Sequence, residues 1–188
     1  MTRHVRGSLF AAYVRIMRNR KGVDWTVHLK PEDILQIMGQ VDVNAWYPMA
    51  TYERLGEAIL KVIVQKDIDA VRDWGRVTVE SLCEIYPGLP APGDPLETLM
   101  RFKVLRSTFF DFDALSTHAL ADGHALIEVR YHMGPRAEEA ACYQTMGFLE
   151  GLLRNAGARE IEGRFQERSW AGDARTMLDI TWTTHGDS

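Results

Sequence analysis

With 188 residues, 46% hydrophobic and 26% charged side chains, the chain has an ordinary globular composition. It can bury roughly two-thirds of its extended surface with no disulfide or metal to hold it. The net charge of −4 argues against nucleic acid or an anionic membrane as the main partner. Two cysteines, Cys83 and Cys142, are too few and too far apart for a disulfide framework or a zinc ribbon. No run of about 18 apolar residues offers a membrane span, and residues 1–7 lack the apolar core of a secretory signal, so the expected location is cytoplasmic. The simplest organisation is one domain over residues 1–188, helical over about 1–110 and ββαββ over about 111–184.

The helical part is read from the 3.6-residue period. Phe10, Tyr13, Val14 and Met17 form one stripe, stopped by Gly22. The basic run over residues 15–21, with Arg18 and Arg20, suits the negative end of that helix dipole. Pro31 opens a short helix with Ile34, Leu35 and Met38 on one side. An aromatic turn over residues 44–48 precedes a third helix, for which Thr51 is the expected cap, carrying Tyr52, Leu55, Ile59, Val62 and Ile63. Val71, Trp74, Gly75, Thr78, Leu82 and Ile85 mark a fourth, ended by Tyr86-Pro87-Gly88. Asp94 caps a fifth, with Pro95 at its first position and Leu96, Leu99, Met100, Val104 and Leu105 following.

After Phe110 the period falls to two. Phe112, Ala114, Ser116, His118 and Leu120 alternate up to an Asp122-Gly123 hairpin turn. The return strand sets Ala125, Ile127, Val129 and Tyr131 against Leu126, Glu128 and Arg130. A long helix follows over about 136–155, with Ala141, Thr145, Phe148, Leu149 and Leu152 as its inner stripe and Gly157 as its stop. A second hairpin turns at Ala171-Gly172-Asp173, between a strand carrying Ile161, Gly163 and Phe165 and one carrying Thr176, Leu178, Ile180 and Trp182. Two hairpins around one helix predict an α+β fold: an N-terminal helical layer followed by a ββαββ unit with an antiparallel four-stranded sheet.

No catalytic constellation is legible. His4, His28, His118, His124, His132 and His185 show no metal-ligand spacing, and no nucleophile elbow, Walker loop or dinucleotide fingerprint occurs. Glu138 and Glu139 suit the positive end of the long helix. Both cysteines read as small hydrophobes, with modification left open. Gly147 and Gly151, four apart, share a helix face that admits another backbone, either the sheet or a second copy of the same helix. The aromatic side chains are the better signal, and Trp74, Phe102, Tyr131 and Phe148 are the candidate ligand-binding residues.

The order of elements resembles the fold shared by haem-nitric-oxide-binding domains, the vinyl-reductase-type sensors of aromatic-responsive activators, and the TRAPP tethering subunits. The chain is most similar to an uncharacterised myxobacterial family with this fold. The resemblance rests on Trp46-Tyr47-Pro48, Gly75-Arg76 before Tyr86-Pro87, and Met146-Gly147-Phe148-Leu149-Glu150-Gly151. Gly157-Ala158, and Gly172-Asp173 before Ile180-Thr181-Trp182, complete it over about residues 46–182. Haem members carry an axial histidine on the helix before the sheet, whereas residues 95–109 contain none. Their Tyr-x-Ser-x-Arg motif falls on Tyr131-His132-Met133-Gly134-Pro135, where the tyrosine alone survives. The sensor cysteines that hold a metal fall in the closing hairpin, which here offers Ser169 and Thr176.

The resemblance therefore implies a non-enzymatic regulatory or small-molecule-sensing domain with no haem, metal or other cofactor. Its expected partners are an apolar small molecule or lipid in a pocket between helices and sheet, and a second copy in a homodimer. The alternative is a protein-interaction or scaffold module with no small ligand.

Overall fold

A computed structural model describes residues 2–64 and 67–184, so Met1 and His185 lie outside it. The elements run β1 (His4–Arg6), α1 (Gly7–Asn19), α2 (Pro31–Met38), β2 (Trp46–Pro48) and α3 (Met49–Ile59), which continues as a π-helical turn over Leu60–Val64. Then come α4 (Ile68–Ile85), α5 (Pro95–Leu105), β3 (Leu115–Ala121), β4 (His124–Val129), α6 (Pro135–Asn155), β5 (Arg159–Glu167) and β6 (Thr176–Thr183). The architecture is α+β, with helices first and a ββαββ unit after them. Contacts group it into two compact units: one uses the chain up to residue 67 together with 107–112, the other uses 68–106 and 113 onward.

In the first unit, the α1 stripe behaves as its period requires, with Phe10, Tyr13, Val14 and Met17 all buried. Phe10 stacks on Tyr47 at 4.3 Å between centroids, and Tyr13 on Tyr52 at 4.2 Å. The aromatic turn is in fact strand β2, paired antiparallel with β1. Three-residue strands are too short to show alternation. Helix α3 starts two residues before Thr51, which instead lies in the first turn and accepts a hydrogen bond from Arg54.

Helix α2 turns the other way from its apolar pattern. Leu35 and Met38 are 71% and 78% exposed, while Asp33 and Ile37 face inward. The cause is an ion pair: Arg54 donates from Nε at 2.7 Å and from Nη2 at 2.6 Å to the buried Asp33 carboxylate. Burial alone would raise the Asp33 pKa, but the hydrogen bonds from Arg54 and the Lys30 amide hold it below its ordinary value. Arg18, at the end of α1, donates to the Ile37 and Gly39 carbonyls, so it caps α2 rather than its own helix.

In the second unit the sheet order is β3-β4-β6-β5, antiparallel throughout. Gly123, at φ +73°, makes the first hairpin turn, and Gly157, at φ +96°, follows α6. Leu149, Leu152 and Leu153 of α6 and Leu178 and Ile180 of β6 are fully buried. At the β3 bulge the register shifts between Thr117 and Ala119. That extra residue breaks the alternation. Leu120 therefore joins Leu115 and Thr117 against α5, while Ser116 and His118 hydrogen-bond to side chains on the opposite face.

Candidate functional site

The centre of the second unit is the crossing of α4 over α6. Gly147 and Gly151 do admit another backbone, but it is that of α4 in the same chain, neither the sheet nor a second copy. A Cβ on Gly147 would strike the Arg72 carbonyl, and one on Gly151 would stand 2.7 Å from the Arg76 carbonyl oxygen. The fit is reciprocal, because a Cβ on Gly75 would strike the Gln144 carbonyl and lie 2.8 Å from the Phe148 amide nitrogen.

One buried carboxylate clamps this crossing. Glu150 is 1% exposed and accepts from Arg72 Nε at 3.0 Å, and from Arg76 Nε and Nη2 at 2.9 and 2.8 Å. A further Arg72 donor, Nη2, reaches its other oxygen. The Glu150 hydrogen bond raises the Arg72 pKa against the opposing effect of burial. Sequence reasoning missed this clamp. Its signals were two arginines one turn apart on α4 and a lone glutamate in the otherwise apolar Gly147-to-Gly151 stretch.

Of the four candidate ligand residues, Phe148 lies on α6, and Phe102 and Tyr131 each reach that helix within one turn of it. Phe102 of α5 meets Phe148 with centroids 5.2 Å apart and planes at 46°. The Tyr131 hydroxyl hydrogen-bonds Thr145 Oγ1 at 2.7 Å. Trp74 adjoins Gly75, whose backbone seats on Gln144 and Phe148. Phe102 and Tyr131 are buried; Trp74 and Phe148 are half-buried. Trp74, Thr78, Ser81 and Ile85 follow one flank of α4, and Ile85 is exposed. Beneath Phe102, a cavity of about 10 Å³ lies between Leu99 and Lys103 of α5 and Leu115, Leu120 and Ile127 of the sheet. That space holds about one water.

Titratable groups are spread rather than convergent. His4 pairs with Asp111 at 2.6 Å, His118 with Glu128 at 2.7 Å and His124 with Asp179 at 2.9 Å. Among the described residues, no group of three or more His, Cys, Asp or Glu side chains could hold a metal ion. Burial raises the pKa of both thiols, and that of the fully buried Cys142 well above the ordinary value. Neither is poised as a thiolate. No described helix is long and apolar enough to cross a membrane.

No family model matches the chain, and no curated protein matches its sequence. Solved structures do match in fold. An H-NOX protein from S. oneidensis in the Fe(II) ligation state superposes with a TM-score of 0.64 at 12% identity, over 95% of this chain and 96% of that one. An Fe(II) unliganded H-NOX protein from K. algicida gives 0.66 at 13% identity, over 96% and 97%. An oxygen-binding H-NOX domain related to soluble guanylate cyclases gives 0.62 at 15%, over 95% of both chains.

That fold family implies haem, and the residues present do not fit it. Helix α5 carries no histidine, and its inward ring Phe102 is packed on Phe148. The Tyr131 hydroxyl is engaged by Thr145, and Met133 and Pro135 supply neither a hydroxyl nor a guanidinium.

Proposed function

We propose that the chain is a non-catalytic sensing or regulatory domain. It binds an apolar small molecule or lipid through Trp74, Phe102, Tyr131 and Phe148, and it acts as a homodimer. The observation that carries this reading is the likeness in fold to H-NOX domains along nearly the whole chain, with aromatic side chains standing where a haem ligand set is missing. With room for only about one water beneath Phe102, the ligand approaches from the side of Trp74 and Ile85. The test is native mass spectrometry of the gently purified chain, followed by organic extraction of the same sample. A dimer releasing a hydrophobic molecule, with release lost in Trp74→Ala, is the expected result. A monomer from which nothing extracts would overturn the reading.

One observation favours a second reading, a protein-interaction module. Val27, Leu35 and Met38, within and just ahead of α2, are 74%, 71% and 78% exposed. Clustered exposed apolar side chains mark interaction surfaces. A Leu35→Ser/Met38→Ser variant separates the readings, since it leaves ligand extraction intact under the first and abolishes partner capture under the second.

A further inference from the structure

A groove of about 260 Å³ opens at one end of the sheet, between the segment entering α6 and the turn before β6. It does not depend on the apolar site proposed above, because none of the four aromatic residues of that site lines it. Its volume stands just below the range typical of small-ligand pockets.

One wall is Trp170. This half-buried ring is fixed on two sides: it stands at 89° to Phe165 with centroids 5.0 Å apart, and it lies 6.1 Å from Tyr143. An aromatic wall held by other rings offers a flat apolar face at little entropic cost. His132 and Met133 also line the groove. His132 is held at φ +54°, a conformation that non-glycine residues rarely adopt, and the Met133 amide is anchored at 2.7 Å to Glu138 Oε2. Such strain persists only where the surroundings enforce it, and it is concentrated at ligand sites.

The polar lining is balanced and oriented. Arg130 is gripped by both oxygens of Glu128, at 2.8 and 2.7 Å. Arg175 lies on Glu167, and its Nη1 has no partner among the described residues. On the lining, two guanidiniums face two carboxylates, Glu128 and Glu138. The floor is the fully buried Thr176, whose Oγ1 takes the Ser169 amide at 3.1 Å and shares a 2.8 Å hydrogen bond with the Ser169 hydroxyl. A net-neutral lining disfavours a simple anion or cation, while donors and acceptors flanking one aromatic face suit a flat molecule carrying both.

We propose that this groove is a binding site for a small, uncharged planar heterocycle bearing both hydrogen-bond donors and acceptors, of the nucleobase or aromatic-amide class. The ring lies along Trp170, Arg175 Nη1 donates to a ring carbonyl or nitrogen, and Glu138 accepts from a ring N–H.

The test is a titration of the ¹⁵N-labelled chain with guanosine, adenine and nicotinamide as neutral probes, and with benzoate and benzamidine as charged controls. The expected result is saturable shifts of the Met133, Glu138 and Ser169 amides by at least one neutral probe. That probe should bind at least about tenfold more weakly to Trp170→Leu, and more weakly to Arg175→Met, which alters an exposed side chain and leaves the fold intact. Absence of saturable shifts at these amides with every neutral probe would overturn the proposal. So would equal binding by Arg175→Met, or stronger binding of either charged control.

Discussion

Gly147 of α6 lies so close to the backbone carbonyl of Arg72 on α4 that no Cβ fits between them. This contact and its counterparts at Gly75 and Gly151 fix the separation of the two helices. Gly147→Ala must therefore push α4 away from α6 or bend one of them, and overpacking of this kind costs about 1–3 kcal/mol. Gly22→Ala is the control, because an added Cβ there meets nothing within 4 Å. Its effect should stay within about 0.5 kcal/mol. Urea unfolding of both variants checks the pair; equal midpoints would refute the close-crossing account.

Glu150 makes the same crossing electrostatically specific. Glu150→Gln keeps the shape but leaves the guanidiniums of Arg72 and Arg76 facing a neutral amide. Removing one partner of a buried pair typically costs about 3–5 kcal/mol. Both arginines keep partial solvent contact, with side chains 25% and 29% exposed, so a loss of about 2–4 kcal/mol is expected. Replacing all three by apolar residues of similar size (Arg72→Met, Arg76→Met, Glu150→Leu) should recover most of that loss. If the triple variant is as unstable as Glu150→Gln, the cost lies in packing rather than charge.

These two contacts show where a sequence stops being readable. The four-stranded sheet and α6 were legible because half-buried strands alternate and Asp122-Gly123 and Gly157 carry turn chemistry that few other residues supply. The partner of Gly147 and Gly151 was not legible, because small residues announce close approach without saying to what. Helix α2 was misread in orientation because its apolar side faces outward while an aspartate is buried, and Arg54, 21 residues away, decides that. Leu120 was placed on the wrong face because a single bulge residue inverts every later position of a strand. Of the candidate site, the individual aromatic residues could be named, whereas the contact of Phe102 with Phe148 depends on where α5 packs.

Acid should unfold the chain in a defined window. Hydrogen bonds from Arg130, reinforced by His118 and opposed by burial, lower the Glu128 pKa from 4.5 to about 2. A carboxylate with a depressed folded-state pKa contributes stability above its unfolded value and loses it as pH falls through the folded one. The Glu128 contribution is thus full above about pH 4.5 and gone below about pH 2. Asp33 and Asp179 are lowered as well, so their contributions fade in the same direction. The urea midpoint should fall across that window, and the Glu128→Gln variant should show a shallower fall from a lower starting stability. An identical pH slope in the variant would remove Glu128 from the account.

Haem provides the sharpest contrast between the fold and the residues it carries. The solved structures of this fold include Fe(II) proteins, but α5 here turns Phe102 toward Phe148 and offers iron no imidazole. A phenyl ring cannot coordinate iron, and no histidine stands on α5 to replace it. The chain mixed with haemin and desalted, or purified from haem-supplemented cells, should therefore keep no stoichiometric Soret absorbance. The ferrous form should show no spectrum of histidine-ligated iron. If haem is retained one-to-one through desalting, with the spectrum of a histidine ligand, a group outside α5 must supply that ligand. The apolar-ligand reading would then give way to haem sensing by another route.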